Sequence, residues 1–279
     1  MAIKVIYVAR HGYRSNWVLK GPYPDPPTGI ENDVPLAQHG LDQAKELGEY
    51  MKTKIDPSLK PQLIISSPFY RCLQTAQPTK MALDLPLCVD RGLGEWFRVE
   101  RATIPYPADV GTLKELFPGL ISDDTDADDG WENCSMPSRH GETEEDIFNR
   151  CKEFLSNFFM EAEKKFPDVE RVMFFTHAAT KAALGMNLLG FSSVRDTLDD
   201  SGKILNNPSC SLDKYEATGA GWKITMNGNT SYLSKGAEMN WSFQKGFREA
   251  SDEDIKIRLA ADAAIAAEKG AKVAATMAD

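Results

Sequence analysis

Two histidines in this chain each follow an apolar, β-branched run. His11 comes after Lys4–Ala9 (KVIYVA) and Arg10, and His177 comes directly after Arg171–Thr176 (RVMFFT). A third run, Leu63–Ser66, leads into a stretch that carries Arg71 one turn in, and a fourth, Leu87–Val89, leads to Glu95. These residue types suit phosphoryl transfer. A neutral imidazole attacks phosphorus when one ring nitrogen is free and the other is held by a hydrogen bond. Guanidinium forks match the equatorial oxygens of a phosphate. A carboxylic acid at the pocket edge can protonate a leaving alkoxide. Little more is asked of the protein, because this chemistry is mostly positioning and charge stabilisation.

Such groups act together only if the fold brings them to one place. Each apolar run reads as a buried strand. Between them lie helical patterns. The first spans about 41–53, with Leu41, Ala44, Leu47 and Met51 on one stripe. Others span about 69–82, 143–165 (with Thr143 as N-cap and Glu144, Glu145 and Asp146 in the first turn) and 178–189. Alternating strands and helices predict an α/β fold, a three-layer α/β/α sandwich with a mostly parallel central sheet. In such sheets ligands sit beyond the carboxyl ends of the strands, which is where Arg10, His11, Arg71, Glu95 and His177 all fall.

The remaining segments frame this core. Residues 21–35 form a Pro/Gly-rich loop, and residues 97–142 read as a long insertion or lid with an acidic run at 123–129. Residues 210–217 and 222–226 read as a strand pair joined by a Gly-rich turn. One domain over 1–250 is therefore expected, followed by an Ala-rich helical tail over 251–279 that offers a docking helix for a protein partner. His39 and His140 read as surface residues, and Tyr13 and Trp17 as packing residues, with lining of the pocket as the alternative.

Bulk properties narrow the substrates. With 32 Lys and Arg against 41 Asp and Glu, the chain carries a formal net charge of −9, which gives no general attraction to nucleic acid or anionic membrane. A phosphate site must then be a local basic pocket, suited to a small phosphoester or a phosphoprotein side chain. The 5 cysteines, Cys72, Cys88, Cys134, Cys151 and Cys210, are scattered without a C-x-x-C, which reads as reduced thiols in a cytoplasmic or nuclear protein. No run is long and apolar enough to span a membrane, and no cluster of metal ligands stands out in the sequence.

Several motifs occur in a familiar order. Arg10-His11-Gly12 follows the first strand. Leu36-x-x-x-Gly40-x-x-Gln43-Ala44, Ser66-Ser67-Pro68-x-x-Arg71-x-x-Gln74-Thr75-Ala76, Gly94-Glu95-Trp96, Gly141-Glu142-Thr143 and Thr176-His177 come after it. Together they resemble the histidine phosphatase superfamily, in its phosphoglycerate mutase-like branch, from about residue 4 to 190. The resemblance implies that His11 forms a phosphohistidine, that Arg10, Arg71 and His177 bind phosphate, that Glu95 donates the proton, and that no cofactor or metal is needed. The activity implied is that of a histidine acid phosphatase-type phosphomonoesterase with an acidic-to-neutral optimum. Glu100 and Glu142 compete with Glu95 for the donor role. Arg10-His11-Gly12-Tyr13-Arg14 resembles the eukaryotic protein-phosphatase-like members, which makes Arg14 a further phosphate contact.

Other features depart from the common pattern: Tyr13 stands where an acidic residue is frequent, and Ala178-Ala179 where glycine is common. The runs Arg14-Ser15-Asn16-Trp17, Cys210–Tyr215 and Met226–Ser231 are similar to a fungal subgroup of this superfamily. That subgroup includes the phosphatase-domain subunit of transcription factor IIIC and stand-alone relatives. It raises the alternative of an interaction module.

Overall fold

The computed structural model describes residues 3–18, 22–122, 131–245 and 260. Its centre is a six-stranded sheet in the order β3-β2-β4-β1-β5-β6. The strands are β1 (Val5–Arg10), β2 (Leu63–Ser66), β3 (Leu87–Val89), β4 (Arg171–Thr176), β5 (Leu212–Thr218) and β6 (Gly221–Asn229). The first four pair parallel, and β5 and β6 join antiparallel at one side. This is the mostly parallel α/β sheet expected. Strands β1 and β2 are buried along their whole length, which is why their sequences are apolar runs rather than alternating ones.

Five helices pack on this sheet: α1 (Gln38–Thr53), α2 (Tyr70–Leu83), α3 (Val110–Leu116), α4 (Glu144–Lys165) and α5 (Ala178–Leu188). Two cores result, one on each face. Val5, Tyr7 and Ala9 point to the side of α1 and α2, and Ile6 and Val8 to the side of α4 and α5. Thr143 caps α4 in a reciprocal capping box with Asp146, as its sequence predicts.

The segment 97–142 differs from a free lid. It contains α3, and Leu113, Phe117, Leu120 and Ile121 join the core beneath α1 and α2. The Ser122 amide donates to Leu87 O at 2.8 Å, tying the segment to the β3 edge. Its acidic run lies outside the described residues, as does the 251–279 tail apart from residue 260. Among the described residues no helix is long and apolar enough to cross a membrane.

Register does the essential positioning. Arg10 stands opposite Thr176 in the parallel β1–β4 pair, so the next residues, His11 and His177, leave the sheet side by side. Ser66 on β2 is in register with Phe175 on the other side of β4, which sets Ser67 beside His177.

Candidate active site

His11 and His177 face each other with ring centroids 5.4 Å apart. His11 Nδ1 lies 2.8 Å from Gly12 O, a carbonyl that can only accept, so Nδ1 carries the hydrogen. That leaves Nε2 with its lone pair, buried and without a hydrogen-bond partner among the described residues. Burial, then Arg71, Arg14, Arg10 and His177, push the His11 pKa well below its ordinary value of 6.5. The ring is therefore neutral with one unoccupied nitrogen, the state that nucleophilic attack demands.

The spacing of the sequence motifs has a physical cause in each case. A Cβ on Gly12 would meet Gly40 O at 2.7 Å, and one on Gly40 would meet Tyr13 O at 2.2 Å, so only glycines let the loop after β1 touch α1. Gln43 Oε1 accepts from the Tyr13 amide at 2.9 Å, and Gln74 Oε1 from the Leu36 amide at 2.7 Å. Thr75 Oγ1 accepts from the Gly12 amide at 3.0 Å and donates to Arg71 O at 2.8 Å. Ser67 Oγ meets His177 Nε2 at 2.8 Å. The two helical motifs thus hold the histidine loop and the second histidine in place.

The cations are held in the same way. Arg10 Nη1 donates to Asn207 O and Met239 O, both at 2.6 Å. Arg71 Nη2 donates to Glu95 Oε2 at 3.1 Å, and Asp33 lies 3.6 Å from Arg71 Nη1. The Arg71 Nε has no hydrogen-bond partner among the described residues. His177 Nδ1 lies 3.2 Å from Glu95 Oε2 and 3.1 Å from Arg71 Nη2. With a hydrogen on Nδ1, His177 and Arg71 converge as two donors on one Glu95 oxygen. Burial on its own would raise the Glu95 carboxyl. The charge and hydrogen bond of His177, with Arg71 and Arg14, outweigh burial and hold it well below the usual range. Glu95 is thus ionised in this pocket and occupies donors that a phosphate would otherwise take.

The structure brings together all the predicted residues: His11, Glu95, His177, Arg10, Arg14 and Arg71 are each at most 5% exposed. It separates the competing acids. Glu142 pairs with Arg150 at 2.6 Å, and Glu100 pairs with Arg98 at the surface. Cys72 Sγ lies 3.5 Å from His177 Nε2, but burial pushes its thiol up to about 12, so it is protonated and not a nucleophile.

Three sequence readings need correction. His39 is not a plain surface residue: it pairs with Glu238 at 2.5 Å and its ring lies 5.3 Å from Tyr13. Trp17, read first as a packing residue, takes the alternative place beside the pocket: its ring lies 5.7 Å from that of His11. And a potential metal-ligand set exists, invisible in the sequence because its members are remote: His11, Glu95 and His177 place ligand atoms within 4.8 Å of one another. The surrounding Arg10, Arg14 and Arg71 disfavour a cation there and favour an anion. Sequence reasoning also missed Asp33 and Ser67. Asp33 is one of three acids in the Pro/Gly-rich loop, with Asp25 and Glu31, and nothing in the sequence set it apart, whereas Ser67 could have been read from its place at the end of β2.

A family model described as histidine phosphatase superfamily (branch 1) matches residues 6–230. This chain belongs to that superfamily. Among curated proteins, it is 44% identical over 281 residues to the transcription factor tau 55 kDa subunit of Saccharomyces cerevisiae. That match covers 92% of this chain and 62% of the yeast protein, so the chain spans about three fifths of that relative's length. The relative is of the fungal kind that the Cys210–Tyr215 and Met226–Ser231 runs resemble. An ecdysteroid-phosphate phosphatase of Drosophila melanogaster is 24% identical over 202 residues, covering 71% of this chain and 25% of that protein. Among solved structures, the ecdysone phosphate phosphatase of Bombix mori in complex with tungstate superposes with a TM-score of 0.58 at 19% identity, covering 81% of this chain and 93% of that one. At that identity the superposition bears on the fold of this histidine phosphatase superfamily member.

Proposed function

We propose that this protein is a metal-independent phosphatase that hydrolyses a phosphomonoester through a phosphohistidine on His11. One observation carries the reading: a buried neutral imidazole whose Nδ1 is held by Gly12 O and whose Nε2 has no hydrogen-bond partner, facing a cluster of guanidinium groups. In the first step Nε2 forms a bond to phosphorus as the ester oxygen leaves. The Gly12 carbonyl steadies the Nδ1–H as the ring gains charge. Arg10, Arg14, Arg71 and His177 hold the equatorial oxygens. The leaving oxygen takes a proton from Glu95. In the second step Glu95 accepts a proton from water, whose oxygen bonds to phosphorus as the P–N bond breaks, and His11 is restored.

Glu95 begins this cycle ionised, so substrate must bring about its protonation. An arriving phosphate occupies Arg71 and His177 and adds negative charge beside the carboxylate. Both changes raise its proton affinity. The substrate class is a small phosphoester or a phosphoprotein side chain, because a local basic pocket on a chain of net charge −9 repels long polyanions. The test is hydrolysis of p-nitrophenyl phosphate in EDTA. Wild type is expected to turn over and His11→Ala is not. Equal turnover by the two proteins would overturn the mechanism.

A second reading has its own support. Identity of 44% to the transcription factor tau subunit favours a protein-interaction role and nuclear residence, with or without catalysis. The 251–279 tail is the candidate docking segment. Capture of partners by the full chain and by a chain ending at residue 250 tests it, and an unchanged set of partners would remove the tail from that role.

A further inference from the structure

The nucleophile is covered. His11, Arg10, Arg71 and His177 each show 0% exposure, so no ester reaches Nε2 unless something moves. One aromatic group beside His11 is Trp17. Its indole is itself only 1% exposed. It lies 5.7 Å from the His11 ring and within reach of two of the guanidinium groups, with Arg10 Cζ at 5.2 Å and Arg14 Cζ at 4.8 Å from its centroid. The indole therefore fills space beside His11 and stacks on the faces of two guanidinium groups, whose N–H edges are the part a phosphate would meet.

Trp17 is also packed so that it can leave. It belongs to neither of the two main cores. It sits in a small separate cluster with Tyr13 and Met239, on a single 3-10 turn over Ser15–Trp17. Besides the contact with Arg14 O, its backbone is held by the Tyr13 hydroxyl, which donates to Trp17 O at 3.0 Å. Displacing this ring leaves the sheet and both cores intact.

We propose that Trp17 is a specificity-determining cover: it swings off His11 to admit a phosphoester, returns over a compact oxyanion, and is held open by a bulky leaving group. Selection against large esters is then set by the indole. This inference rests on the phosphatase reading above.

The test uses two ligands that need no turnover, orthovanadate and 1-naphthylphosphonate, with affinities measured by calorimetry on wild type, Trp17→Ala and Trp17→Phe. Trp17→Ala is expected to tighten the naphthyl ligand relative to vanadate by about 10-fold, the scale of one desolvated cation–π contact. Trp17→Phe keeps an aromatic ring in the cluster and is expected to fall between. Orthovanadate is also expected to change tryptophan emission in wild type and not in Trp17→Phe. If vanadate binds but both ligands shift equally, or neither shifts, the cover is overturned while the phosphatase reading stands. If vanadate binds none of the three proteins, the phosphatase reading fails and the cover fails with it.

Discussion

The buried charged groups of this molecule are built on two opposite principles. Beneath α4, Arg150 is fully satisfied: Nε and Nη2 donate to the two Glu142 oxygens at 2.6 and 2.9 Å, and Nη1 donates to Gly92 O at 2.6 Å. Lys181 is similar, with Nζ meeting Asp213 at 2.6 Å, Asn206 O at 3.0 Å and Asn207 Oδ1 at 3.2 Å. At the end of β1 and β4 the pattern reverses. His11 Nε2 and Arg71 Nε, equally buried, have no hydrogen-bond partner among the described residues. Burying an unsatisfied polar group is costly, and a bound anion would complete the Arg71 nitrogen as an electrophile would engage the His11 one. Neither charge nor incomplete satisfaction marks the site by itself; their coincidence at His11 and Arg71 does.

Substitutions can break this contrast from either side. The largest effect is expected for His11→Ala, which should lower kcat by about three orders of magnitude or more. The same change should move the melting temperature by no more than about 4 °C. A stability loss as large as the activity loss would mean that the pocket is structural too. Glu95→Gln keeps the hydrogen-bonding shape but cannot give a proton, and kcat on an ester with a poor leaving group should fall by about 10²–10⁴. A leaving group that needs no proton should largely escape that loss, and an equal fall on both esters would deny Glu95 the donor role.

Arg150→Met tests the other cluster. It leaves Glu142 buried without its partner and should cost about 3–5 kcal/mol in denaturant unfolding. Turnover per folded molecule should hold, and a selective loss of turnover would show that the two clusters are coupled. The smallest effect is in the pH profile. His11 reacts when deprotonated, and its pKa lies well below 6.5, so the acid limb of kcat/KM should fall below pH 6.5. The alkaline side should decline as the donor proton is lost. An acid limb at or above pH 6.5 would contradict the buried, cation-flanked histidine.

Much of this was legible in the order of residues. Apolar β-branched runs make buried strands whatever surrounds them, so the positions of His11 and His177 at strand ends follow from local sequence. The spacing of Gln43, Gln74 and Thr75 is also local, since each lies on a helix face turned toward the loop that follows β1. Thr143 and Asp146 form a cap within a single turn. These features depend on neighbours only a few residues away, and so they can be read without the fold.

The tertiary structure alone decided the rest. Whether His11 Nε2 is free depends on what approaches it, and its surroundings come from residues as distant as Arg71 and His177. Asp33 reaches Arg71 across 38 positions, and Lys181 meets Asp213 across 32. His39 gains Glu238, and Trp17 comes to lie beside His11. Side-chain partners of this kind are set by strand order and register. Because β4 inserts between β1 and β2, histidines 166 positions apart become neighbours, and no local pattern encodes that insertion.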